Sequence, residues 1–209
     1  MPLSHESKDK ITQGILCKRI LVMNKIIDKK LTEQDYRNAA KILSCDVATI
    51  KAVAEVESRN GGFNKDGTPK ILFEGHWFWR LTKGKHGKNS YSYPKWVRTY
   101  YNLNQHKRLG KAAEKDRQAA LQSASWGLFQ IMGFNYKKCG YKSVQHFVNA
   151  MYHSEGMQLV AFCNFIKNSN LDDELRSKQW AKFAYRYNGP GFKKNKYDEK
   201  LAKAYNKYI

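Results

Sequence analysis

Along Ile50-Lys51-Ala52-Val53-Ala54-Glu55-Val56-Glu57, helical spacing sets Ile50, Val53, Ala54 and Glu57 on one stripe. Glu57 therefore points where apolar side chains point. Glu55, rotated by about 200°, falls on the solvated side with Lys51. Taking a carboxylate out of water destabilises its charged form, so a glutamate placed like Glu57 can hold a proton near neutral pH, as a general acid must. The pattern alone also admits a plainer arrangement, in which Glu57 pairs with Arg59 at the helix end.

Other chemistries find little support. His146 and His153 are about two helical turns, ~10 Å, apart and cannot share one zinc ion. His5, His76, His86 and His106 show no ligand spacing, and Cys17, Cys45, Cys139 and Cys163 form no Cys-x-x-Cys pair. Neither a phosphate-binding Gly-rich loop with its Lys nor a Gly-x-Ser-x-Gly elbow occurs. No metal and no cofactor is expected.

Four motifs stand in order: Ala-Val-Ala-Glu-Val-Glu-Ser at 52–58, Pro-Lys-Ile-Leu-Phe-Glu-Gly-His at 69–76, Ser-Ala-Ser-Trp-Gly-Leu-Phe-Gln-Ile-Met-Gly at 123–133 and Tyr-Asn-Gly-Pro-Gly at 187–191. From about residue 30 to the C-terminus the chain resembles the N-acetylmuramidase domain family of phage endolysins, within the lysozyme-like superfamily that also holds goose-type lysozymes and lytic transglycosylases. The resemblance implies cleavage of the β-1,4 bond between N-acetylmuramic acid and N-acetylglucosamine in peptidoglycan. Glu57 matches the family's catalytic glutamate, the residue that helical geometry selects independently.

Glu74 matches a motif position and is the first choice for a second carboxylate. Asp66, in a turn where related lysozymes keep an acid, is the second choice. Either would activate water or stabilise the cationic transition state, with carboxyl separations of roughly 5 Å for retaining and 6.5–9.5 Å for inverting geometry. Glu74 could instead brace the hairpin through Arg80 or His76. Ser125, Gln130, Tyr187 and Asn188 are assigned to substrate binding, because acetamido sugars need donors, acceptors and an aromatic face. A lytic transglycosylase, which needs one carboxyl and leaves an anhydro sugar, is the alternative within enzymes.

Mostly helical elements must position these groups. Apolar spacing marks a basic amphipathic helix over 11–27, and Thr32 with Asp35 forms a capping box for a helix to Ser44. Asp46 is placed to cap the helix that carries Glu57. Turn chemistry at 64–69 precedes strand character at 70–73. Val144 to Tyr152, Leu159 to Ile166 and Trp180 to Ala184 mark three further helices, the last stopped by Asn188-Gly189-Pro190-Gly191. Trp126, Phe129 and Phe134 read as core, whereas Trp77, Phe78 and Trp79 read as a strand turning one ring inward. The expected fold is mainly α (α+β, lysozyme-like), with one small β-hairpin beside the groove. A single catalytic domain over 1–209 is expected, with residues 1–30 packed on it.

At 209 residues, with 38 Lys+Arg against 18 Asp+Glu and a formal charge of +20, the chain should be drawn to anionic envelope surfaces. Nucleic acid would exploit the same charge, but that reading leaves the buried carboxyl and the ordered motifs without purpose. The longest apolar run, Leu159 to Cys163, falls far short of the ~20 residues of a membrane span. The first residues lack a secretory leader. Synthesis in a bacterial cytoplasm, reduced thiols, release to the wall through the inner membrane and a monomeric state are the matching expectations.

Overall fold

The computed structural model describes residues 29–57 and 61–209. The basic helix expected over 11–27 lies outside them, as do Cys17 and Arg59. Among the described residues ten α-helices surround one three-stranded antiparallel sheet, the mainly helical architecture expected.

Helix α1 (Glu33–Leu43) begins at Thr32, whose hydroxyl accepts from the Asp35 N–H at 3.2 Å while Asp35 accepts from the Thr32 N–H at 2.9 Å. The reciprocal cap forms as its spacing predicts. Asp46 accepts from the Thr49 N–H at 2.7 Å and so starts α2 (Val47–Glu57). Ile50, Val53 and Ala54 are each at most 2% exposed, which confirms the apolar stripe ahead of Glu57. Against α2 packs α10 (Tyr197–Tyr208), the lysine-rich C-terminal segment. Glu55 stays exposed and accepts from Lys207 Nζ at 2.8 Å and Tyr208 Oη at 2.5 Å.

In the sheet, β1 (Ile71–Phe73) pairs with β2 (Ala124–Trp126), placing Leu72 opposite Ser125, and β2 pairs with β3 (Ile131–Met132). The hairpin proper is therefore the 123–133 motif itself. The strand at 71–73 joins it from far upstream, a pairing that local patterning does not encode. The turn between β2 and β3 needs left-handed backbone at Gly127 (φ 68°) and Gln130 (φ 48°).

One expectation is corrected. Trp77, Phe78 and Trp79 belong to a helix, α3 (Gly75–Leu81), and not to a strand. The ladder stops at Phe73, and the chain turns because the Gly75 N–H donates to the Tyr93 hydroxyl at 3.2 Å. Phe78 then faces the core at 0% exposure, and Trp77 packs at 4.7 Å on Phe134.

Two helices, α4 (Gln105–Ala113) and α5 (Arg117–Gln122), lead into the hairpin, and α6 (Val144–His153) and α7 (Glu155–Lys167) follow it. Leu159, Ala161, Phe162, Cys163 and Ile166 of α7 are all at most 1% exposed and form the middle of the core. Burying each large apolar side chain contributes about 1.5–3 kcal/mol. Trp126 and Phe129 join this core, Phe129 stacking on Phe162 at 4.3 Å. The short α8 (Asp172–Arg176) and α9 (Trp180–Asn188) complete the chain before α10. Cys45, Cys139 and Cys163 are free thiols.

Candidate active site

A groove of about 830 Å³ lies between the end of α2 and the sheet. Glu57, the last residue of α2, lines it, and its Oε1 is buried. Facing it is the loop that leads into β1, which also contributes Lys70, Ile71 and Leu72. At the loop tip Asp66 is exposed and accepts from the Thr68 hydroxyl at 2.6 Å and the Thr68 N–H at 2.9 Å. These two bonds hold its carboxyl below the usual carboxylate range, with His106 adding to the effect. Asp66 is thus ionised at neutral pH. The loop closes on itself through the Asn64 N–H to Thr68 O and the Lys70 N–H to Gly62 O, both 2.8 Å.

Helix α7 holds both the loop and the hairpin from below. Glu155 is 4% exposed and accepts from the Gly62 N–H at 2.7 Å and the Leu31 N–H at 3.2 Å. Gln158, 1% exposed, accepts from the Leu128 N–H at 2.7 Å and donates to the Met151 carbonyl at 2.8 Å. There is no room between these parts: a Cβ on Gly62 would sit 2.2 Å from Gln158 Oε1. Sequence reasoning missed both residues. Their signal was two polar side chains three apart, just ahead of the apolar run from Leu159 to Cys163.

Among the residues assigned to binding, Gln130 lines the groove and Ser125 lies behind it. The Ser125 hydroxyl donates to Gln130 Oε1 at 2.8 Å, and Gln130 Nε2 donates to the Gly127 carbonyl at 2.8 Å. Tyr187 is half-buried, stacked on Phe183 at 5.5 Å with its hydroxyl donating to the Phe129 carbonyl at 3.3 Å. Burial raises its hydroxyl pKa well above the ordinary value, with the neighbouring Glu57 adding to the rise. Neither Tyr187 nor the exposed Asn188 is among the groove-lining residues. The Tyr187 ring face expected to meet a sugar is turned instead to Phe183, its neighbour one helical turn earlier.

Glu74 stands apart from the groove lining. Both its oxygens are 2.9 Å from the Tyr101 hydroxyl, and Oε2 is 3.3 Å from His76 Nδ1. Burial pushes Glu74 up, against the pull of Tyr101 and Arg108, and burial with Arg80 pushes His76 down. The His76 contact lacks hydrogen-bond geometry, so the carboxylate and the ring meet as a close packed contact.

The third side of the groove is the start of α4, with Asn104, Gln105 and His106. His106 Nε2 lies 3.0 Å from the Pro69 carbonyl, which can only accept, so that nitrogen carries a proton. Among the described residues no group of three or more His, Cys, Asp or Glu side chains could hold a metal ion, and no helix is long and apolar enough to cross a membrane.

A helix-dominated fold with a small antiparallel sheet, and a groove between them flanked by a half-buried and an exposed acid, is the lysozyme-like class of architecture. The N-acetylmuramidase family model matches residues 46–209. The chain belongs to that family and is a peptidoglycan-cleaving enzyme. It is also similar to a solved structure, that of the Burkholderia AP3 phage endolysin, with 41% sequence identity, a TM-score of 0.80, and coverage of 86% of this chain and 71% of that one. Comparison with curated proteins gave no match.

Proposed function

We propose that the enzyme hydrolyses the β-1,4 bond between N-acetylmuramic acid and N-acetylglucosamine, with Glu57 as general acid. Glu57 protonates the bridging oxygen as the bond to the anomeric carbon lengthens and positive charge spreads onto the ring. Asp66, ionised and across the same groove, either stabilises that charge or takes a proton from the attacking water. The observation that carries this reading is the pairing of environments across one groove: a desolvated carboxyl oxygen on Glu57 and a solvated, hydrogen-bonded carboxylate on Asp66. Asp66 is preferred over Glu74 because it lines the groove with Glu57.

In this scheme Gln130 touches the sugar, while Ser125 and Tyr187 act as positioning residues, one through the Gln130 amide and the other through the Phe129 carbonyl. Likeness to a phage endolysin supports a role in host lysis, with the enzyme made in the bacterial cytoplasm and released to the wall through the inner membrane. A formal charge of +20 would concentrate it on anionic envelope polymers in a salt-sensitive way.

Mass spectrometry of digested peptidoglycan tests the reaction type. Products ending in reducing N-acetylmuramic acid, one water heavier than the anhydro form, are expected. Anhydro ends would instead establish a transglycosylase that uses Glu57 alone.

A further inference from the structure

Ahead of the family-matched stretch, which begins at residue 46, residues 29–31 run past the start of α7 and reach the loop that carries Asp66. The Lys29 carbonyl accepts at 2.7 Å from the Glu155 N–H, one of the amides that the first turn of α7 leaves without a helical partner. Glu155 in turn accepts from the Leu31 N–H and from Lys30 Nζ, both at 3.2 Å. The main chain at residue 29 is thus tied down independently of its side chain. The Lys29 ammonium donates to the Gly67 carbonyl at 2.8 Å and stands 4.6 Å from the Phe63 ring centroid. It touches both the tip of the loop and the limb that enters it.

The carbonyl that Lys29 holds belongs to the peptide unit between Gly67 and Thr68, and the N–H of that same unit donates to Asp66 Oδ1 at 2.9 Å. A cation on the carbonyl fixes the plane of the peptide and polarises its N–H, which strengthens the bond at the other end. Gly67, at φ 77°, leaves this peptide freer to turn than a residue with a Cβ would, so an outside hold matters. We infer that Lys29 is a positioning residue for the reaction, holding Asp66 in place across the groove from Glu57 through the 67–68 peptide. The inference rests on Asp66 being the second carboxylate. Lys29 is not among the groove-lining residues and has no need to meet the sugar. The charged or titratable groups that face Asp66 or its groove from other elements are His106 of α4, Tyr152 of α6 and Glu57 of α2, with Lys70 in the loop itself. All of these remain in a variant changed only at residue 29.

The inference is tested on the full chain with soluble peptidoglycan strands, using Lys29→Met, Lys29→Arg, Asp66→Asn and the double variant of Lys29→Met with Asp66→Asn. Losing a charge-assisted bond should lower kcat for Lys29→Met about tenfold with KM nearly unchanged. The acid limb of its pH profile should move to higher pH, because an Asp66 with a weaker N–H partner holds its proton more readily. Lys29→Arg, which keeps a cationic donor, should restore most of the rate. In the Asp66→Asn background the change to Met should cost no more than about twofold, since two residues acting through one contact are not additive. An unchanged kcat would overturn the inference. So would a loss confined to KM, since Lys29 would then be drawing in the substrate by its charge. A tenfold loss in both backgrounds would also overturn it, by placing the action of Lys29 away from Asp66. Should Lys29→Met lower Tm, carboxyl NMR titration of the folded variant decides: Asp66 should titrate at higher pH than in the parent, and an unmoved titration sinks the inference. Parental activity in Asp66→Asn would be a different failure, that of the second-carboxylate reading on which the inference rests.

Discussion

The wall that carries Glu57 and the wall that carries Asp66 face one groove, yet they are built by opposite means. Glu57 ends a helix whose Ile50, Ala52 and Val53 are at most 1% exposed and which α10 covers from behind. Asp66 sits on an exposed loop kept in shape by hydrogen bonds within residues 62–70 and by Glu155 beneath Gly62. Apolar packing desolvates one carboxyl oxygen, while a turn full of donors keeps the other group charged. In the proposed mechanism two residues with nearly the same intrinsic acidity are thereby prepared for different halves of one reaction.

The largest expected effects come from removing each acid. Glu57→Gln should cost about 10²–10⁴-fold in kcat with little change in Tm, measured by turbidity loss of purified cell walls. Asp66→Asn should cost about 10²-fold, and Glu74→Gln no more than a few-fold. If instead Glu74→Gln falls with Glu57→Gln while Asp66→Asn stays active, the loop wall is not the second half of the site, and Glu74 takes that role.

An intermediate effect should separate the walls mechanically. Glu155→Ala strands the buried Gly62 N–H and the Leu31 N–H, at a cost of about 3 kcal/mol in urea denaturation. Hydrogen exchange should quicken over residues 62–70 while residues 47–57 stay protected. Equal loosening of both would show that the walls are one cooperative unit and that their contrast is only local chemistry.

The smallest effect sharpens the electrostatic side. Thr68→Ala removes the hydroxyl that does most to hold Asp66 below its ordinary pKa of 3.8. Activity that needs ionised Asp66 is lost as pH falls through that pKa. The acid limb of the profile should therefore move to higher pH. A limb that does not move would dissociate it from Asp66.

Much of the site's helical half was legible in the chain. The cap at Thr32, the cap at Asp46 and the stripe ahead of Glu57 are local, since each depends on residues within one or two turns of one another, and local spacing carries that information. The β half was less so. That Ile71–Phe73 would pair with Ala124–Trp126 depends on contacts between distant segments, and the tryptophan-rich run at 77–79 looked like a strand until the Tyr93 hydroxyl turned the chain at Gly75. Tyr187 was read for its type, but a ring's chemistry is decided by what lies against it.

By itself the sequence determined that a glutamate would end an apolar helix, that sugar-enzyme motifs would follow in order, and that the whole would be strongly basic. Only the tertiary structure decided which second acid shares the groove with Glu57, that Ser125 stands behind Gln130, and that α7 supports both walls through Glu155 and Gln158. The division has one physical cause. Helix periodicity and capping act over a few residues and are written in adjacent letters, whereas desolvation and hydrogen-bond partnership are set by whatever distant part of the chain the fold brings alongside.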